Sequence, residues 1–143
     1  YRALRSDKFS YAILEATLRT YLTPIEIVDE NMTFTLFNRS QEDLIKIGNK
    51  LVKKLPSNLI KQYGIEVKPT EVEAGSGSLP LEKLPSAALQ FNGKLKSTEL
   101  SRKFRMAENP ILGFITGNKF YIDLKAVPHS QEKQLLTTIN SVL

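Results

Sequence analysis

Apolar positions along the chain recur with two periods, and the changes of period mark out the elements. Over 8–22, KFSYAILEATLRTYL, one helical stripe holds Phe9, Ile13 and Ala16, and an adjoining one holds Leu14, Leu18 and Tyr21. A helix this apolar needs cover on more than one side, so it is expected to pack against something beyond this chain as well as within it. Thr23-Pro24 should stop it, because Pro24 lacks an N–H and biases Thr23 away from helical angles. The run 32–37, MTFTLF, alternates Thr with larger apolar side chains, which predicts a short strand. Ser40, with Asp43 three residues on, predicts a helix start, and Leu44, Ile47, Leu51 and Leu55 then share one face. Glu42 and Asp43 complement the positive end of that helix, Lys53 and Lys54 its negative end, and Pro56 closes it.

The alternating run 65–72, IEVKPTEV, contains Pro69, which cannot donate to a ladder and so predicts an edge or bulged strand. AGSGSLP at 74–80 reads as a loop and SAALQF at 86–91 as a strand. Ser97 is placed to cap a short helix carrying Leu100 and Phe104, with Arg102, Lys103 and Arg105 around them. The runs 111–116 and 119–124 flank Gly117-Asn118, a hairpin whose Gly-X pair predicts a II′ turn. Ser130 should cap a last helix with Leu135, Leu136, Ile139, Val142 and Leu143 on its apolar face. Strands ending in a hairpin, with helices between and after them, predict an α+β sandwich: an antiparallel or mixed sheet with helices on one face. There is no internal repeat and no low-complexity tract.

Composition narrows the chemistry. A chain of 143 residues, 41% of them hydrophobic, is long enough for one domain with its own core. No apolar run approaches the roughly 20 residues that cross a bilayer, and no charged-then-apolar leader opens the chain, so no membrane is expected and the simplest compartment is the cytoplasm. With 0 Cys there is no disulfide framework, no Cys-based zinc site and no thiol nucleophile; a single His, His129 beside Pro128, reads as a loop residue. The chain opens on Tyr1 and runs at once into an apolar helix, so the expectation is a fragment. Twenty Lys+Arg against 15 Asp+Glu, a formal charge of +5, suit RNA or another polyanion without singling one out.

Candidate sites are few. No carboxylate pair, metal-ligand cluster or Walker-type loop is present. AGSGSLP is a turn or, less simply, a backbone N–H cradle. Arg2 and Arg5 in YRALR are three apart. On a helical turn their guanidinium groups would face one side, where they could hold a phosphate, sulfate or carboxylate, although a solvated basic turn has the same spacing. Lys46, Lys50, Lys53 and Lys54 lie opposite the leucine face; they form the wet side of a helix or, alternatively, follow a phosphate backbone. Arg102, Lys103 and Arg105 pose the same choice.

Three stretches, in order, resemble the C-terminal part of the bacterial selenocysteine synthase (L-seryl-tRNA(Sec) selenium transferase) family. YRALRSDKFSYAILEATLRTYL is similar to the family's Arg-Ala-Leu-Arg, Asp-Lys and Leu-Glu-Ala-Thr-Leu helix. EVEAGSGSLPLEKLPSAAL is similar to its Gly-rich Ser-Leu-Pro loop and Leu-Pro-Ser strand, and NPILGFITGNKFYIDLKAV to its closing hairpin. Phe114 and Lys125 depart from it, standing where arginines are common in the family, and Ala74 and Ser76 interrupt its glycine run.

The resemblance implies a pyridoxal-phosphate (PLP) enzyme of aminotransferase-like fold type I. Its Schiff-base lysine would lie upstream of Tyr1, so this fragment alone should be inactive and bind no PLP. Residues 1–22 would end the large domain and residues 23–143 would form the small C-terminal domain. Arg2 and Arg5 match the family's anion site beside the cofactor, where selenophosphate is held. The implied partners are seryl-tRNA(Sec), selenophosphate and further copies of the enzyme in a ring of dimers. The implied chemistry forms an aminoacrylyl intermediate, to which selenium adds. Two alternatives remain: a related PLP lyase of a small phosphorylated amino compound, and a stand-alone basic RNA-binding module.

Overall fold

A computed structural model describes residues 5–22, 31–73 and 83–143. It divides into two compact units, Tyr1–Asn38 and Arg39–Leu143, each taken by itself below. The domain limit expected at 22/23 borders the stretch 23–30, outside the described residues, as do Pro24 and the loop 74–80.

In the first unit, α1 spans Lys8–Thr20. Asp7 caps it: its carboxylate accepts from the Ser10 N–H at 2.9 Å and from the Ser10 hydroxyl at 3.1 Å. None of its residues is buried. The run MTFTLF is a helix, α2 (Met32–Phe37), and not the expected strand. Capping outweighs a six-residue alternation here. The Asn31 side chain accepts from the N–H groups of Thr33 and Phe34, and the Thr35 hydroxyl donates back to the Asn31 carbonyl at 3.1 Å. Tyr21 meets Phe34 edge-on at 5.6 Å.

The second unit holds α3 (Gln41–Val52), α4 (Ser57–Tyr63), β1 (Ile65–Glu73), β2 (Lys83–Phe91), α5 (Ser97–Arg105), β3 (Phe114–Thr116), β4 (Lys119–Asp123) and α6 (Glu132–Val142). Ser40 caps α3 as expected, accepting from the Asp43 N–H at 3.1 Å. Helix α4 has no counterpart in the sequence reading, although Pro56 before it and Gly64 after it are boundary signals. Gly64 takes φ +55°, and a Cβ there would come within 2.8 Å of the Asn92 carbonyl oxygen.

The sheet is antiparallel throughout, in the order β1-β2-β4-β3, so the Pro69 strand lies at an edge as expected. Register pairs Val67 with Leu89 and Leu89 with Ile122, and Ile65 with Phe91 and Phe91 with Phe120. These side chains therefore share one face. Leu44 and Leu51 of α3, Leu100 and Phe104 of α5, and Leu135 and Ile139 of α6 complete the core on that face. Phe91, Phe104 and Phe120 meet at its centre with ring centroids 5.4 to 5.7 Å apart. By strand parity the opposite face carries Lys68, Thr70, Ser86, Gln90, Phe114, Tyr121 and Asp123.

Three local expectations are corrected. Gly117 and Asn118 both have positive φ, +53° and +61°, which makes the hairpin turn I′ and not II′; asparagine tolerates the left-handed region the strand twist favours. Ser97 is the first residue of α5, behind Lys96 at the N-cap. Ser130 sits inside a 3₁₀ turn, His129–Gln131, that leads into α6.

Candidate functional site

Arg5 is exposed and precedes the Asp7 cap, outside α1. Arg2, the other member of the expected pair, lies outside the described residues. The Ser10 N–H, and then its hydroxyl, hold the Asp7 carboxyl below the usual carboxylate range.

Lys46, Lys50, Lys53 and Lys54 are all exposed on α3 and the turn after it. They are not equivalent. Lys46 donates to Asp43 at 2.9 Å, a bond that raises the lysine's pKa and lowers that of the carboxyl. The other three make no ion pair among the described residues. Arg102 and Lys103 line an open groove with Met106, Ser141 and Val142. His129 lies in the turn before α6, its Nδ1 2.6 Å from Glu132 Oε1.

The densest polar cluster gave no signal in the sequence. Asp123 accepts from the Ser86 hydroxyl at 2.8 Å, the Thr70 hydroxyl at 3.0 Å and the Lys125 N–H at 2.9 Å. The Lys125 side chain is buried, and its Nζ donates to the carbonyls of Arg39 and Pro85, both at 2.9 Å. Burial pushes the Lys125 ammonium below the ordinary lysine range against the pull of Asp123. Arg39 donates to the Val127 carbonyl at 2.6 Å, and Gln41 to those of Ser86 and Thr70 at 2.7 and 3.2 Å. These bonds tie the start of α3 to β1, β2 and the end of β4. With Asp123, Lys125, Arg39 and Gln41 all bonded to other parts of the same unit, the cluster fastens these elements together. Among the described residues no group of three or more His, Cys, Asp or Glu could hold a metal, and no helix is long and apolar enough to cross a membrane.

A model of the L-seryl-tRNA selenium transferase family matches residues 1–128. The chain belongs to that family. It is 37% identical over 142 residues to the L-seryl-tRNA(Sec) selenium transferase of Photorhabdus laumondii, covering 96% of this chain and 30% of the relative. The enzyme of that name from Salmonella typhimurium is 36% identical over 130 residues, covering 88% and 28%. That from Haemophilus influenzae is 34% identical over 143 residues, covering 99% and 31%. The chain thus spans about 30% of the length of the curated relatives it matches. Against the resemblance to selenium transferases, two departures now have a structural setting. Phe114 stacks parallel on Tyr121, centroids 5.1 Å apart and planes 7° apart. Lys125 keeps a positive donor where arginine is common, in the fastening just described.

Proposed function

We propose that this chain is the C-terminal part of a cytoplasmic, PLP-dependent selenium transferase that converts seryl-tRNA(Sec) to selenocysteinyl-tRNA(Sec) with selenophosphate as donor. The observation that carries the reading is the family match over residues 1–128. In this reading residues 1–22 end the large domain, 23–143 form the small domain, and the enzyme assembles as a ring of dimers.

The described lysines do not fit a Schiff-base site. Lys125, the buried one, gives its Nζ to two backbone carbonyls, and the others are exposed or half-buried. The cofactor is therefore assigned to parts of the enzyme outside these residues. The contribution assigned to this chain is to hold an anion. Arg2 and Arg5 grip the donor phosphate by charge-assisted hydrogen bonds and fix its approach. The exposure of Arg5, ahead of a capped helix, supports that role by leaving its guanidinium accessible.

The test is Arg2→Ala and Arg5→Ala in the full-length enzyme. Losing one charge-assisted contact, worth about 1.5–3 kcal/mol, should slow selenium transfer about 10- to 100-fold, with the cofactor absorbance unchanged. Unchanged turnover in both variants removes the anion-site role.

A further inference from the structure

The fold gathers basic side chains from separate parts of the chain at one pole of the second unit. The direction of α3 fixes this. At its start, Gln41 reaches the carbonyls of Thr70 and Ser86, where β1 ends and β2 begins. Midway, a Cβ on Gly48 would come within 2.9 Å of Val67. Helix α3 thus runs antiparallel to β1, and Lys50, Lys53 and Lys54 lie toward the pole where β1 starts and β2 ends. The same pole receives α4 and the connection from β2 to α5, because the Asn92 N–H donates to the Tyr63 carbonyl at 2.9 Å. Gly93 allows that approach, since a Cβ there would lie 2.5 Å from the Gln62 carbonyl oxygen. Lys61 and Lys94 consequently face one open groove of about 650 Å³, together with Gln62, Asn92 and Gly93.

Charge pairing divides the two poles. At the far pole Asp43 holds Lys46 and Glu71 holds Lys83, with Glu42, Glu73 and Asp123 beside them, while Arg39 and the buried Lys125 are bonded to backbone carbonyls. At the near pole Lys50, Lys53, Lys54, Lys61, Lys94 and Lys96 are exposed and make no ion pair among the described residues. The acids close to them are Glu66, which holds Lys68 at 2.8 Å, and Glu99 in the first turn of α5. Complementing the dipole of α3 explains Lys50, Lys53 and Lys54. The dipole of α4 accounts for Lys61, in its last turn, in the same way, and neither dipole accounts for Lys94 on a connection.

We propose that this pole is a docking surface for the phosphate backbone of RNA, centred on the groove between Lys61 and Lys94 and extended by Lys53 and Lys54. Lysines on flexible stems act as point charges for successive phosphates and read no sequence. RNA is chosen over an acidic protein because the family's substrate is a tRNA, so the inference rests on the proposed function. Of the expected set it keeps Lys53 and Lys54, and it adds Lys61 and Lys94.

The test measures binding of the 143-residue chain to a serine-accepting tRNA transcript across salt concentrations. Four phosphate contacts give a slope of log affinity against log salt of about −3, and Lys61→Gln with Lys94→Gln should flatten it by about 1.5. Adding Lys53→Gln and Lys54→Gln should flatten it by about as much again. The charge-matched control, Lys46→Gln with Lys83→Gln, should leave it unchanged. All these lysines are exposed, and circular dichroism checks the fold of each variant. Equal binding of a tRNA of unrelated sequence, with the same dependence on the four lysines, supports backbone contact. Equal loss in the control pair, or equal competition by polyglutamate, overturns the surface. So does the absence of salt-dependent binding, and that result leaves the selenium-transfer reading, tested through Arg2 and Arg5 in the full-length enzyme, unaffected.

Discussion

Helices α1 and α3 look alike as sequence and differ as structure. Both carry apolar residues at helical spacing behind a capping side chain, Asp7 in one and Ser40 in the other. Helix α3 buries Leu44, Gly48 and Leu51, whereas α1 buries nothing, with Phe9 74% and Leu18 57% exposed. Periodicity specifies a helix and which face is apolar; cover comes from whatever the rest of the protein sets against that face. The contrast separates what this chain stabilises by itself from what it offers to something else.

The largest effect should come from the covered side. Phe104→Ala removes a ring that is 0% exposed between Phe91 and Phe120, and should cost about 3–5 kcal/mol in urea unfolding. A loss below about 1 kcal/mol would mean that the three-ring core does not hold this unit. Next is Lys125→Met, which strands the carbonyls of Arg39 and Pro85 and should cost about 1–3 kcal/mol. It should also change the pH profile. Burial lowers the Lys125 pKa from its ordinary value of 10.5, so between the folded-state pKa and about 10.5 the unfolded chain binds more protons and stability rises with pH. A neutral amine still donates to both carbonyls. Subtracting the Lys125→Met profile from that of the unaltered chain should isolate this rise, and a flat or falling difference contradicts it.

How far the sequence showed all this depended on how local the cause was. Ser40 with Asp43, Pro69 at an edge and the Gly117-Asn118 hairpin depend on residues within a few positions, and each element was legible. The turn type failed because two dihedrals, not one, take positive φ, and asparagine hides this by tolerating either sign. MTFTLF reads as a strand because its β-branched Thr residues favour one, and the deciding group is an asparagine just outside the run. Helix α4 is only seven residues long, and Pro56 and Gly64 mark its bounds without specifying what lies between them. Spacing singles out Arg2 and Arg5 without distinguishing a grip from a wet surface, and the anion-site role rests on the resemblance. The Lys125 cluster joins residues more than 80 positions apart in sequence, as in the bonds that link Arg39 with Lys125 and Val127. Nothing in composition or period marks such a pairing. For the same reason Lys61 and Lys94 could not be associated before the register of β1 on β2 was known.

The caps sharpen the comparison at smaller magnitude. Ser40→Ala should lower the stability of the second unit by about 1 kcal/mol, while Asp7→Ala should reduce helical circular dichroism without moving the unfolding midpoint. A shift of equal size in both variants would mean that α1 contributes to the cooperative core after all.

The smallest expected change carries the most information about α1. Phe9→Ser alters a side chain that is already 74% exposed, so in the 143-residue chain stability should move by no more than about 0.5 kcal/mol. If residues 1–22 end the large domain of a selenium transferase, the same face is covered in the full-length enzyme. There the substitution removes a buried aromatic ring and should cost about 1.5–3 kcal/mol or more. Equal, small changes in both proteins would leave the apolar stripe uncovered in each and take away the large-domain assignment of this helix. A large change in the short chain alone would show that α1 is held by this chain's own residues.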